Sequence, residues 1–396
     1  MPPHAMSGGT PRLARRVDTI APFRVMELVK RANALAAAGH PVIQMNIGEP
    51  DFTAPPPVVA ALKRAADQGL SQYTTALGIA PLREAIARDY GERYGIDISP
   101  SRIVVTAGAS AALLLACCAL VDVGDRVLMT DPSYPCNRHF VAAFNGIPDL
   151  VAVGPDTRYQ MTRALIESRW TAGTAGALLA TPANPTGTSI PFDELAGIVA
   201  AIRERGGFSL IDEIYLGLSY EGQPRSALEL GDDIIVCNSF SKTFSMTGWR
   251  LGWLVVPESM VAAFEKLAQN LFICASALAQ QAALACFEPE SRAVFDSQRE
   301  SFRQRRDFIV PALRDAGLQI PVTPDGAFYV WIDCAEVAPD SMTFAERLLE
   351  EAWVSIVPGH DFGTHEADRY LRLSYATARP QLEEAVRRIA RLIGAG

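Results

Sequence analysis

Residues 234–250 read Ile-Ile-Val-Cys-Asn-Ser-Phe-Ser-Lys-Thr-Phe-Ser-Met-Thr-Gly-Trp-Arg. Ile234–Asn238 is an apolar run of strand length, and the hydroxyl-rich segment with Lys242 follows it directly. That places Lys242 at the carboxyl end of a strand, where open α/β sheets bind ligands. The same unit recurs on both sides. Strand-like runs at Ile103–Thr106, Arg126–Thr130, Leu150–Val153, Ala177–Ala180, Phe208–Ile211 and Leu251–Val256 alternate with helical patterns. The helical patterns lie at Pro81–Tyr94, Ser110–Val121, Tyr134–Phe144, Phe192–Glu204 and Pro257–Asn270. Strands apolar on both faces and separated by helices predict an α/β fold, a mostly parallel seven-stranded sheet between helices.

After residue 288 the pattern changes. A helical stretch at Glu290–Ala316 precedes short strand-like runs at Phe328–Ile332, Val354–Val357 and Leu371–Tyr375, with helices at Thr343–Glu351 and from Pro380. This predicts a smaller α+β domain over residues 289–396 and a large domain over 51–288. Residues 1–50, with a helical pattern at Arg24–Ala38 and an extended run at Val42–Asn46, are expected to join the smaller one. Pro-rich Ala54–Pro57 and Asp131–Pro135 read as loops.

Composition narrows the classes. A chain of 396 residues, 49% hydrophobic and 20% charged, is that of a soluble enzyme with more than one core. A net charge of -8 argues against a nucleic-acid partner, while leaving room for a local cationic pocket. Seven cysteines without a CxxC pair fit reduced thiols rather than a disulfide framework, and Cys117 and Cys118 read as packing. Five histidines without metal-ligand spacing predict no metal site, and His365-Glu366 lacks the second histidine of HExxH. No apolar h-region follows Arg12, Arg15 and Arg16, and Ala109–Val121 is shorter than the roughly 20 residues of a membrane span. A cytoplasmic protein without a membrane partner is expected.

Four segments carry candidate chemistry. Around Lys242, a polar loop facing water is the common reading of Ser-x-Ser-Lys, but Phe240, Phe244, Met246 and Trp249 make this one too apolar for that. A lysine among such neighbours loses its proton easily and becomes a nucleophile able to form a Schiff base. In Phe208-Ser-Leu-Ile-Asp212-Glu-Ile-Tyr215, a carboxylate ends an apolar strand; it either caps a helix or meets a cationic partner. Thr181-Pro-Ala-Asn184-Pro-Thr-Gly187 also follows a strand and is good turn chemistry. Thr106-Ala-Gly108-Ala109-Ser110 opens an apolar helix with small residues, which lets backbone N–H groups approach a phosphate.

In this order the segments resemble the fold-type I enzymes that use pyridoxal 5'-phosphate (PLP), specifically the class I/II aminotransferases, which include aspartate and aromatic aminotransferases. The resemblance runs from Asn46-Ile-Gly48-Glu-Pro-Asp-Phe52 through Arg372-Leu-Ser-Tyr375. Between them lie Tyr73-x4-Gly78-x3-Leu82-Arg83, Ser241-Lys242-x7-Arg250, Gly326-Ala-Phe-Tyr329 and Pro358-Gly359. The resemblance implies that Lys242 holds PLP as a Schiff base and later shuttles the substrate proton. It implies that Asp212 pairs with the ring nitrogen, Asn184 and Tyr215 with the ring's phenolic oxygen, and that Tyr134 stacks on the ring. Ala109, Ser110, Ser239, Ser241 and Arg250 would hold the phosphate. Arg372 would clamp the substrate carboxylate, with Gly48 beside it, and Tyr73 would reach the active site of a neighbouring subunit in a homodimer. The implied activity is ping-pong transfer of an amino group from an L-amino acid to a 2-oxo acid, with 2-oxoglutarate as the family's usual acceptor.

Rival readings share parts of this pattern. A lyase or synthase on the same fold would use the same motifs. A PLP-binding regulator fused to a DNA-binding segment has too little chain before residue 50. A nicotinamide-dependent oxidoreductase lacks its GxGxxG. Donor specificity is not legible: Arg12, Arg15, Arg16, Arg24 and Arg138 are available for a distal carboxylate, and Phe23, Phe140 and Phe272 for an apolar side chain.

Overall fold

The computed structural model describes residues 12–14, 16–20 and 24–394. Twelve strands are present among them: β1 Ile43–Gln44, β2 Ile103–Thr106, β3 Arg126–Asp131, β4 Ile147–Ala152, β5 Thr174–Ala180, β6 Phe208–Asp212, β7 Ile235–Ser239, β8 Gly252–Val255, β9 Tyr329–Asp333, β10 Val354–Ser355, β11 Val357–Pro358 and β12 Tyr370–Ser374. Seven of them make one sheet in the order β2-β8-β7-β6-β5-β3-β4. All neighbours in it are parallel except β8, which runs antiparallel to both β2 and β7. This is the α/β architecture expected from the sequence.

Why these strands are apolar throughout is visible in the packing. Leu178, Leu210, Ile235, Cys237 and Leu254 face one helical layer, built around the helices Ala109–Leu120 and Val261–Leu271. The alternate residues Ala177, Leu179, Ile211, Val236 and Val255 face the other, which includes the helix Phe192–Glu204. With period-2 alternation and cover on both faces, the strand centres are mostly apolar, and a polar side chain inside a strand, such as Asp149 in β4, is paired, here with Arg126 and Arg169. Polar groups collect at the strand ends.

A three-stranded antiparallel sheet, β11-β12-β9, packs with the helices Pro289–Asp315, Ser341–Glu351 and Arg379–Gly394 around a separate core of Phe302, Ile309, Val330, Ile332, Leu348, Leu371 and Ile389. β1 pairs in parallel with β10, so residues 43–44 belong beside the C-terminal part of the chain. Among the described residues, no helix is long and apolar enough to cross a membrane.

Two segments read as loops are partly helical. Pro56 and Pro57 open the helix Pro56–Asp67, and Pro135 opens Pro135–Ala143 while Asp131 still belongs to β3. Proline is tolerated in a first helical turn because its missing N–H has no intrahelical acceptor there. The helices Arg163–Arg169 and Ala277–Ala283 were not anticipated; each has seven residues, too few for a clear periodic pattern. The run Val354–Val357 divides into β10 and β11.

Candidate active site

A cavity of about 460 Å³ lies at the carboxyl ends of β2, β5, β6 and β7, with the small sheet closing its far side. Gly48, Ala109, Ser110, Tyr134, Asn184, Asp212, Tyr215, Ser241, Lys242, Arg250 and Arg372 all line it. Segments as distant as residues 48 and 372 are thereby brought to one place. Two predicted residues do not line it. Ser239 stands one layer behind, its Oγ 3.0 Å from both Ser241 Oγ and the Leu251 carbonyl and accepting the Ser241 N–H at 3.0 Å. Tyr73 is 82% exposed and outside the cavity of its own chain.

Lys242 follows β7 and donates from Nζ to the Gly48 carbonyl at 2.6 Å. Burial pulls its ammonium down to about 8, against the opposing charge of Glu49 and with the help of the Arg372 and Arg250 guanidiniums. Asp212 ends β6 and accepts the Ile214 N–H at 3.1 Å. Burial raises its carboxyl to about 6, opposed by that hydrogen bond and by Lys242. A buried carboxylate of this kind is costly until a cation joins it. Tyr215 is buried, and its hydroxyl lies 2.8 Å from that of Tyr329. Burial and Tyr329 push its phenol far up, so it stays a neutral donor.

The helix Ala109–Leu120 starts without a side-chain cap, leaving the N–H groups of its first turn to face the cavity at Ala109 and Ser110. Its N-cap, Gly108, has φ +86, and a Cβ there would lie 2.5 Å from Arg250 Nη2. Only glycine lets the guanidinium come this close to the helix start. Open N–H groups, a helix dipole and an arginine form a site for a phosphate group.

Across the cavity, Arg372 on β12 is 6% exposed. Its Nη1 donates to Asn184 Oδ1 at 3.0 Å and its Nη2 to the Asn46 carbonyl at 2.7 Å, while its buried Nε has no partner. The guanidinium lies 4.6 Å from the Tyr329 ring centroid and 4.8 Å from that of Phe362. No carboxylate is paired with it among the described residues. A buried arginine held in place by neutral groups can hold an anion, and a planar fork suits a carboxylate.

Most of the remaining lining is apolar and was largely missed: Met26, Val29, Ile47, Leu113, Pro135 and Phe362, beside the polar Asn46, Thr247 and Asp361. Met26 and Val29 are one turn apart on the helix Arg24–Ala37, a spacing legible in the sequence, but nothing local says which face meets the cavity. Phe140 and Phe272 pack against the large-sheet core instead, and Arg138 donates to the Asp361 carbonyl at 3.0 Å. Arg15, Phe23 and the side chain of Arg24 lie outside the described residues.

The donor set fits PLP: Lys242 for its aldehyde, Asp212 for its ring nitrogen, and the open helix start with Arg250 for its phosphate. Comparison with known proteins agrees. The family described as "Aminotransferase class I and II" matches residues 40–389. The chain is 39% identical over 382 residues to the "Valine--pyruvate aminotransferase" of Mycobacterium tuberculosis, covering 96% of this chain and 98% of that one. It is 36% identical to the "Aspartate aminotransferase" of Thermotoga maritima, covering 95% and 98%. A crystal structure of an aminotransferase from Mycobacterium tuberculosis superposes with a TM-score of 0.94 at 38% identity, over 98% of this chain and 100% of that one. With sheet order, cavity and almost the full length in agreement, the chain belongs to the class I and II aminotransferases, fold-type I enzymes that depend on PLP.

Proposed function

We propose that this enzyme moves an amino group from an L-amino acid with an apolar side chain to a 2-oxo acid, in two half-reactions that use the same cavity. The observation that carries this reading is the facing pair of Lys242, drawn down to about 8, and Arg372, buried with a free Nε. One can take a proton near neutral pH while the other holds a carboxylate.

Bound PLP supplies an electron-withdrawing ring that accepts the charge left when the substrate Cα loses its proton. The residues do the rest. Lys242 would hold the cofactor covalently at rest, and its freed Nζ would take the Cα proton. Asp212 keeps the ring nitrogen protonated, an ion pair that relieves its own buried charge. Ala109, Ser110, Ser241 and Arg250 hold the phosphate, with Ser239 fixing Ser241 from behind. Asn184 and Tyr215 would pair with the phenolic oxygen, and Tyr134 would stack on the ring. Arg372, beside Gly48, orients the substrate so that its Cα–H points to Lys242.

Apolar donor preference rests on Met26, Val29, Ile47, Leu113 and Phe362. Among the described lining residues the cations are Lys242, Arg250 and Arg372, each with a task already. The names of related proteins point to valine with pyruvate in one case and to aspartate in another, so pyruvate is to be tried beside 2-oxoglutarate. Active enzyme is a homodimer in this reading, with the exposed Tyr73 reaching its partner's cavity, and it works in the cytoplasm, where its seven unpaired cysteines stay reduced.

The test is spectroscopic. Holoenzyme is mixed with single L-amino acids, and the visible band of the lysine-bound cofactor is followed. Loss of the band with leucine or valine, reversed by pyruvate or 2-oxoglutarate, is the expected result. Release of ammonia or sulfide instead would identify a lyase. Mixed dimers of Lys242→Ala and Tyr73→Ala subunits test the shared site, because one intact site should reappear in each hybrid.

A further inference from the structure

The segment Gly326-Ala-Phe-Tyr329 has no task in the chemistry above, yet it sits where three of the working residues meet. Asp325 and Gly326 both donate to the Gly187 carbonyl at 3.0 Å, at the end of the turn that carries Asn184. Ala327 donates to the Leu218 carbonyl at 3.1 Å, in the short turn after Tyr215. β9 starts at Tyr329 and pairs with β12, Ser374 opposite Tyr329 and Arg372 opposite Trp331. Alternation therefore puts Tyr329 and Arg372 on the same face of the small sheet as diagonal neighbours.

The side chain completes this arrangement. Tyr329 is fully buried, its hydroxyl is 2.8 Å from the Tyr215 hydroxyl, and its ring lies 4.6 Å from the Arg372 guanidinium. A Cβ on Gly48 would come within 2.9 Å of the same hydroxyl, so the Gly48 segment closes directly over it. We propose that Tyr329 is a positioning residue that sets two working groups with one side chain: its hydroxyl aims Tyr215 at the cofactor, and its ring seats Arg372 for the substrate carboxylate. This rests on the PLP reading given above.

The two tasks are separable because they use different atoms. Each tyrosine has a single hydroxyl proton. When Tyr215 donates to the phenolic oxygen of PLP, the bond between the two tyrosines has to be donated by Tyr329. A hydroxyl that accepts a hydrogen bond becomes a stronger donor. Without the Tyr329 hydroxyl, Tyr215 holds the phenolic oxygen less firmly. That oxygen then keeps the proton on the nitrogen of Lys242 more strongly, and the titration midpoint of the visible band moves up.

The experiment compares Tyr329→Phe, Tyr215→Phe and the double variant as holoenzymes, titrating the visible band with pH and measuring KM separately from kcat. Tyr329→Phe should raise the midpoint by about half a pH unit, roughly threefold in proton affinity, and leave KM within about twofold. Tyr215→Phe should raise it further, and the double variant should match Tyr215→Phe alone. Tyr329→Leu, which removes the ring, should raise KM by about fivefold; Tyr329→Met replaces it should the leucine variant melt below the assay temperature. An unmoved midpoint in Tyr329→Phe, a double variant showing the sum of both shifts, or an unchanged KM without the ring overturns the proposal. Wild-type protein with no visible band after addition of PLP overturns the cofactor reading instead, so the two failures are told apart.

Discussion

The two walls of the cavity are built on different principles. The large-sheet wall presents Lys242, Asp212, Asn184, Ser241 and the open helix start at Ala109, each placed within a few residues of a strand end. The opposite wall combines one buried cation, Arg372, with the apolar side chains of Met26, Val29, Ile47 and Phe362, drawn from separate segments. On the first wall, the protein meets the cost of buried charge by positioning groups that a cofactor will complete, as the raised carboxyl of Asp212 and the lowered ammonium of Lys242 show. On the second, half-exposed apolar surface such as Met26, 53% exposed, leaves room for side chains of different shape. In the proposed reading the first wall carries the chemistry and the second the side-chain preference.

Substitutions on the two walls should accordingly fail in different ways. Lys242→Ala should lower turnover by about 10⁴-fold, the upper range for loss of a positioned proton-transfer group, while PLP still binds and borohydride no longer fixes it to the protein. Normal transamination by that variant would erase the distinction between the walls. Arg372→Lys keeps the charge but loses the planar fork and its two bonds to Asn184 and Asn46. Its kcat/KM should fall roughly 10–100-fold, mostly through KM, with the visible band intact.

Within the cavity, the pH response near neutrality comes from the large-sheet wall, through Lys242 and Asp212. Below about 8 the free amine of Lys242 is the minor form, so covalent capture of PLP by cofactor-free protein should accelerate up to about tenfold per pH unit and level off above that value. Because its folded value lies below the ordinary 10.5, Lys242 contributes stability that grows between about 8 and 10.5 in cofactor-free protein; buried thiols such as Cys237 and Cys286, held well above the usual thiol range, act the other way, so the contribution is read as the difference from Lys242→Met. Asp212, raised from 3.8 to about 6, has the opposite sign to Lys242: the cofactor-free fold loses stability as pH rises through that window, and Asp212→Asn lessens the slope, leaving the part owed to Glu213, which burial raises from 4.5 to about 7. Thermal melts across both windows check these directions. The smallest effect belongs to the second wall. Met26→Ala should raise KM for leucine about two- to fivefold and leave alanine nearly unchanged, a few buried methylenes being worth no more at so exposed a site.

What was readable in advance follows the same division. Apolar strands that stop at Asp212 or just before Lys242 announce themselves, because a buried period-2 run has to end where polar groups begin. The helix at Pro56–Asp67 was hidden by prolines that look like punctuation and serve as a helix start. Tyr329 was visible as part of a motif, but its contact with Tyr215 spans 114 positions and depends on how the small sheet docks.

Sequence alone was enough for the architecture, which follows from local patterning, while the proposed cofactor wall and carboxylate clamp were read from the resemblance to a family. Tertiary structure alone decided which side chains of the helix Arg24–Ala37 meet the cavity, that Ser239 supports rather than lines it, and that Arg372 is buried with Nε free. The reason is physical: backbone periodicity is a property of neighbours in the chain, whereas a wall made from residues 26, 29, 47, 362 and 372 exists only after separate cores have packed and selected one face of each segment.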